Sequence, residues 1–126
     1  MESESPVDRF GRFLVVNLRD RGIDHVDRLL TPGSKAPSRK ELQSELGALT
    51  EAQRSLVRRA CVDSLDSAIH AFLFALQEQS DSGGPIRVSV DGTDAASASD
   101  GLHGEPYTED GWYARFSKHG EPPENP

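Results

Sequence analysis

The chain has 126 residues, with 21 acidic and 14 basic side chains and a formal net charge of −7. This length suits a single domain with one core, and the acidity argues against direct binding of nucleic acid, which requires a basic face. The longest apolar stretch, nine residues from Ala68 to Leu76, is too short for a membrane span, which takes roughly 20 residues.

The composition of the two ends predicts that they lie outside the folded domain. Residues 1–5 and 120–126 are polar and rich in acids and prolines, which favours disorder. We therefore expect one α+β domain over residues 6–119. The single cysteine, Cys61, cannot form an internal disulfide, and the acidic N-terminus lacks the apolar segment of a secretory signal. Both features predict a cytoplasmic protein.

The first third of the chain predicts two helices. Apolar residues at helical spacing indicate an amphipathic helix from Val7 to Arg21, with Ser5 as its N-cap and Gly22 at its end. Asp24 is then placed to cap a short second helix. Residues 31–37 contain two prolines and a glycine, which predicts a loop.

Two capping boxes predict the next two helices. The first, Ser38 to Glu41, opens a short helix, and the second, Thr50 to Gln53, opens a long helix that ends near Ser80. The second half of the long helix is apolar almost all round, which is typical of a central, buried helix. We expect Cys61, midway along it, to be a small buried hydrophobe.

After a break at residues 81–85, apolar and polar residues alternate, which indicates strands. Ile86 to Val90 is the first strand and Thr93 to Ala98 is the second, joined by Asp91-Gly92, a preferred dipeptide of tight hairpin turns. Trp112 to Phe116 alternates in the same way and predicts a third strand. The predicted fold class is therefore α+β, with about four helices followed by a small antiparallel sheet of two or three strands packed on the long helix.

Acidic residues are concentrated in the second half of the chain. Residues 60–126 carry a net charge of −9, residues 1–59 carry +2, and residues 91–110 hold six carboxylates without a lysine or arginine. This charge suits a basic protein partner, because complementary charge raises the association rate and selects the partner. The predicted contact residues follow the hairpin and comprise Asp100, Glu105, Glu109 and Asp110, with Tyr107 as an aromatic anchor.

A second group of residues predicts different chemistry, that of a small hydrolase or metal-binding protein. Asp66 and His70 lie one helical turn apart, so the carboxylate can orient the imidazole as a base or metal ligand. Such a site needs a further group, and His103 is a candidate. The structural interpretation is that Asp66 and His70 pair with each other or with loop backbone, because buried polar groups need partners whatever the function.

Motifs for cofactor binding do not match. Counted from Asp91, positions three, five and six of a calcium-binding loop are Thr93, Ala95 and Ala96, where an EF-hand needs acids or amides and a glycine. Gly83-Gly84-Pro85 precedes a predicted strand and not a helix, so it lacks the helix N-terminus of a phosphate-binding loop. The sequence therefore predicts no metal and no cofactor, and it favours a binding protein over an enzyme.

Three parts of the chain resemble a group of small bacterial proteins of unknown activity. They are residues 22–30, the segment HAFLFALQE at 70–78, and the blocks DGLHGE and EDGWYARFS at 100–105 and 109–117. In size and charge the chain is also similar to bacterial immunity proteins, which block a toxin by binding it. That resemblance implies an inhibitor of a basic partner, such as a nuclease, and brings no catalytic residue. Another alternative is assembly with a second copy through a sheet edge or the Arg54 end of the long helix.

Overall fold

The computed structural model describes residues 4–31 and 39–120. In chain order the elements are helix α1 (Pro6–Leu14), a π-helical segment (Val15–Arg19), α2 (Asp20–Leu30), α3 (Lys40–Gly47), α4 (Glu51–Ser82), strands β1 (Ser89–Val90) and β2 (Thr93–Asp94), a 3₁₀ segment (Leu102–Gly104) and α5 (Trp112–Phe116). The described part is mostly helical and has one small antiparallel strand pair, which confirms the α+β class. Nearly all of the predicted loop at 31–37 and most of both predicted disordered ends lie outside the described residues.

The first three elements form one continuous helix, the N-terminal rod, from Pro6 to Leu30. Ser5 caps it as predicted, because its hydroxyl accepts a hydrogen bond from the Asp8 amide at 3.1 Å. The predicted break at Gly22 and the separate second helix are wrong. Gly22 lies inside α2, where a Cβ atom would come within 2.7 Å of a methyl of Leu65 in α4. This glycine therefore permits close helix packing and does not end the helix.

Helix α4 has 32 residues, which gives a length of about 48 Å. Its predicted capping box is confirmed. The Thr50 hydroxyl accepts from the Gln53 amide at 3.1 Å, and the Gln53 side chain accepts from the Thr50 amide at 2.8 Å. The helix ends at Gly83, whose φ of 74° lies in the left-handed region. The other predicted capping box begins at Ser38, which lies outside the described residues.

The expectation that the second half of α4 is buried on all sides is wrong. Ile69 and Leu73 are buried, but Phe72 on another face is 53% exposed. Cys61 is also exposed, which corrects the prediction of a buried thiol. The reason is that the main contacts of α4 are with α2 and the 3₁₀ segment, which do not encircle it. Across residues 4–31 and 39–120, we find no helix with the length and apolar character that crossing a bilayer requires.

The hairpin is present but shorter than predicted. Strands β1 and β2 have two residues each and pair Ser89 with Asp94 and Val90 with Thr93. Asp91 and Gly92 form the turn, as predicted, with φ angles of 49° and 84°. Both values are in the left-handed region that this kind of tight hairpin turn requires.

The predicted third strand is wrong, because Trp112–Phe116 forms helix α5. Trp112 and Tyr113 are fully buried, and Phe116 packs against the same core. This is the i, i+1, i+4 spacing of one helix face, which a five-residue segment cannot distinguish from alternation. The indole of Trp112 lies against Gly11 of α1, where a Cβ atom would come within 2.2 Å of the ring. Trp112 therefore fills the core between α1 and the rest of the domain.

Candidate functional site

A buried ion pair joins the N-terminal rod to α4. Arg19 Nε donates to Asp66 Oδ1 at 2.7 Å, and Arg19 Nη2 donates to Asp66 Oδ2 at 3.1 Å. The two side chains are 2% and 7% exposed. Arg19 Nη1 also donates to the Ser117 hydroxyl at 3.1 Å and to the Gly120 carbonyl at 2.6 Å. The guanidinium is therefore well supplied with acceptors, as the burial of a charge requires.

The sequence analysis did not identify Arg19, and it predicted that Asp66 pairs with His70. A signal was present in the helical register, since Arg19 lies four residues from both Val15 and Ile23, which are buried. A charged residue inside an apolar stripe has to be buried with a partner of opposite charge. Because both oxygens of Asp66 accept from Arg19, the structure does not make this carboxylate the orienter of His70.

Two tyrosine rings lie beside the ion pair. The guanidinium carbon of Arg19 is 4.0 Å from the centre of the Tyr113 ring, a cation–π contact. The Tyr107 ring meets Tyr113 edge-on, with ring centres 5.8 Å apart. Burial, reinforced by the Asp66 carboxylate, raises the pKa of Tyr107 to about 12 and lifts the pKa of Tyr113 well above its usual value. Both phenols are therefore neutral at ordinary pH.

The placement of Tyr107 differs from that of a surface anchor. Its side chain lies in the core, with a residue exposure of 7%. Its hydroxyl and that of Tyr113 are buried without a hydrogen-bond partner among the described residues. The Tyr113 hydroxyl is close enough to Asp66 for the carboxylate to affect its pKa, but the contact does not meet hydrogen-bond geometry. Tyr107 therefore packs into the core below residues 100–110, and its side chain is not available on the surface to contact a partner.

The structure brings His70 of α4 and His103 of the 3₁₀ segment together as a histidine pair. Their ring centres are 5.7 Å apart and the ring planes are nearly perpendicular, at 88°. His70 lies 6.0 Å from the Tyr107 ring, and His103 lies 5.1 Å from the Phe74 ring. The Nδ1 atoms of both histidines are buried and have no hydrogen-bond partner in the described part of the chain. Two of the three residues in the predicted alternative site therefore meet.

Gln77 of α4 holds this arrangement in place. Its Oε1 atom accepts from the Leu102 amide at 2.8 Å, and its Nε2 atom donates to the Ala96 carbonyl at 3.1 Å. Gln77 itself is only 7% exposed, and Leu102 is fully buried. The amide side chain thus fixes the segment that carries His103 to the helix that carries His70.

Two of the six carboxylates in residues 91–110 form ion pairs with arginines of the same chain. Asp91 pairs with Arg9 of α1. Asp94 pairs with Arg87 at 2.9 Å, and its other oxygen caps the following turn by accepting from the Ala96 amide at 3.0 Å. These two acids stabilise the hairpin and its contact with the N-terminal rod.

The other four carboxylates belong to the acidic loop, residues 100–110. Glu105 is half-buried and accepts from the Ser99 hydroxyl at 3.1 Å. Asp100, Glu109 and Asp110 are exposed, and none of them forms an ion pair with another described residue. Arg115 is the nearby cation, but its guanidinium is engaged by Asp8 at 2.8 Å.

Comparison with known proteins yields no match, whether with family models, curated proteins or solved structures. Within residues 4–31 and 39–120, no group of three or more histidine, cysteine, aspartate or glutamate side chains is arranged to hold a metal ion. No relative therefore indicates a function, and the resemblance to immunity proteins stays a hypothesis.

Proposed function

We propose that this protein is a small cytoplasmic, acidic protein-binding module whose acidic loop docks on a basic partner, as an immunity protein docks on a toxin. The supporting observation is that Asp100, Glu109 and Asp110 are exposed and form no ion pair within the described part of the chain. Unpaired surface carboxylates attract a cationic protein and lose little intramolecular bonding when it binds.

The backbone of the acidic loop supports this role, because it is held in one conformation. The Trp112 amide donates to the Glu105 carbonyl at 2.9 Å, and the Tyr113 amide donates to the Pro106 carbonyl at 3.1 Å. Gln77 anchors the start of the loop through the Leu102 amide at 2.8 Å. A loop that is ordered before binding loses less conformational entropy when the partner arrives.

The proposed partner-binding surface has fewer residues than the five that the sequence predicts. Asp100, Glu109 and Asp110 form it, with half-buried Glu105 at its margin. Tyr107 contributes by packing under the loop, since its side chain is in the core.

The experiment compares two triple variants that change the charge equally. The test variant, Asp100→Asn/Glu109→Gln/Asp110→Asn, neutralises the exposed carboxylates of the acidic loop. The control, Glu51→Gln/Asp63→Asn/Glu78→Gln, neutralises three exposed carboxylates of α4. A partner captured from the protein's own host is identified, purified and titrated against wild type and both variants over a range of salt concentrations.

We expect the loop variant to bind this partner roughly tenfold or more weakly than wild type and the control to bind nearly normally. We also expect the affinity of the wild type to fall steeply with added salt. A tight partner that is insensitive to salt, or one that docks on residues 1–59 and ignores the loop variant, would refute the proposal.

The alternative function combines Asp66, His70 and His103 in a hydrolase or metal-binding site. The hydrolase form is the less well supported, because Asp66 is committed to Arg19 and leaves His70 without an orienting carboxylate. The metal-binding form keeps His70 and His103, whose ring centres are 5.7 Å apart, but no third ligand joins them among the described residues.

A further inference from the structure

We propose that the outer face of α4 is a docking site for a second copy of this chain, with the two α4 helices antiparallel. The outer face is the side of α4 turned away from Ile69 and Leu73, which are buried. It is separate from the acidic loop, so this inference does not depend on the docking of a basic partner. The outer face comprises the exposed residues Cys61, Ser64, Ala68, Ala71 and Ala75, flanked by Phe72 and Phe74.

The outer face lacks the composition of a solvated helix surface. Phe72 and Phe74 are 53% and 45% exposed, and Leu56, nearer the start of the helix, is 61% exposed. Within residues 60–77 the only exposed charged side chain is Asp63. A helix surface that remains in water normally carries charged residues, and contiguous exposed apolar surface normally marks an interaction site. The composition therefore indicates that a partner covers this face.

The spacing of the small residues favours another helix as the covering element. The intervals along the outer face, from residue 61 to 64, 68, 71 and 75, alternate between three and four, which is the repeat of a seam between two packed helices. Small side chains at such a seam let the helix axes approach to about 8 Å. An antiparallel pair centred on residue 66 places Ser64 opposite Ala68 of the second copy. It also places Cys61 opposite Ala71, so small residues meet small residues along the seam.

The charges at the two ends of α4 favour a second copy as the occupant and set its direction. Residues 51–59 carry three arginines and one glutamate, whereas residues 75–82 carry two acids and no base. Arg54 and Arg59 near the start and Glu78 near the end form no ion pair with another described residue. The same antiparallel register brings Arg54 level with Glu78 of the second copy, and symmetry repeats this at the other end. Opposite charges therefore meet at both ends, and Glu78 also lies near the positive N-terminus of the other helix.

The size of the outer face predicts a weak dimer. From Arg54 to Glu78 the helix is about 36 Å long and about 10 Å wide, so two copies bury roughly 700 Å² in total. A stable interface buries at least about 1,000 Å², and the net charge of −7 on each copy opposes association. We therefore expect a dissociation constant of roughly 10–100 μM.

The experiment measures the mass of the full-length protein by sedimentation over a range of concentrations that spans this value. The test variant is Ala68→Glu, which places an acid near the symmetry axis of the dimer. The control is Ala114→Glu, which makes the same change at an exposed position on α5. The second readout is the rate at which Cys61, the single cysteine and an exposed one, reacts with a thiol reagent. Because Cys61 lies in the seam, dimer formation slows this reaction only if the outer face is the interface.

We expect wild type and Ala114→Glu to dimerise alike and to react more slowly at Cys61 as the protein concentration rises. Ala68→Glu is expected to dimerise roughly tenfold or more weakly, because each copy brings an uncompensated acid into the seam. A wild-type protein that stays monomeric at about 500 μM, or a dimer whose Cys61 reacts as fast as that of the monomer, overturns the proposal. If Ala68→Glu does not fold, the reaction rate of Cys61 in wild type decides. The loop triple variant is expected to dimerise normally, so this proposal and the docking of a basic partner can fail separately.

Discussion

Arg19 and Asp66 lie 47 positions apart in the chain and meet through two parallel hydrogen bonds in the interior. Removing two charges from water is unfavourable, and their mutual attraction offsets this only when the geometry is good and the remaining donors are bonded. Here those donors bind Ser117 and Gly120, so one guanidinium ties the rod, α4 and the end of the described chain together.

Removal of one member of this pair is expected to destabilise the protein strongly. Asp66→Ala leaves a buried guanidinium without its counter-charge and lowers the free energy of unfolding by about 3–5 kcal/mol. The double variant Arg19→Met/Asp66→Leu removes both charges and recovers most of that loss. Urea unfolding of the two variants and wild type measures these differences.

The control for that series is the pair between Arg58 and Asp27, whose side chains are both 41% exposed. Asp27→Ala is expected to cost at most about 1 kcal/mol, because solvent screens a pair of this kind. If Asp66→Ala costs no more than Asp27→Ala, the buried pair does not have the role assigned to it.

The second prediction concerns Gln77. Gln77→Leu leaves the buried amide of Leu102 and the carbonyl of Ala96 without their partner, at about 1–3 kcal/mol for each group. Hydrogen exchange is expected to accelerate at the Leu102 amide and to stay slow at the Trp112 amide, which bonds to Glu105. Gln43→Leu, which breaks an exposed bond of 3.3 Å, is the control, and similar exchange in both variants would contradict the bracing role.

A third prediction tests the contact between α1 and the core indole. Gly11→Ala places a methyl within 2.2 Å of the Trp112 ring, so the helix or the indole must shift, at about 1–3 kcal/mol or more. Gly47→Ala meets no atom within 4 Å and is expected to be neutral or to stabilise by about 0.4–1 kcal/mol. Thermal unfolding followed by the fluorescence of the single tryptophan measures both, and equal melting temperatures would contradict the packing argument.

A fourth prediction concerns alkaline pH. The chain has two tyrosines, Tyr107 and Tyr113, and the folded state raises the pKa of both. A raised pKa means that their contribution to stability is fully present below the ordinary value of about 10. That contribution is lost as the pH rises through the folded pKa of Tyr107, about 12. Phenolate absorbance of the native protein should therefore appear later than that of urea-unfolded protein, and ionisation of a still-folded protein near pH 10 would contradict it.

Local sequence was sufficient for the features that depend on near neighbours in the chain. Ser5, the Thr50–Gln53 capping box and the Asp91-Gly92 turn are all formed as predicted, because their hydrogen bonds and backbone angles involve residues at most three positions apart. The helical content, the small hairpin and the burial of Trp112 follow from the same local patterns and from side-chain apolarity.

The features that the sequence did not predict depend on how one element packs against another. The partner of Asp66, the burial of Tyr107 and the exposure of Cys61 depend on which face of α4 the other elements cover, and periodicity on one helix does not specify that. The sequence suggested that His70 and His103 could belong to one site. Their ring centres come within 5.7 Å only because the 3₁₀ segment packs on α4. The physical reason is that local pattern sets the conformation of a segment, whereas the distance between remote side chains is set by how the core packs.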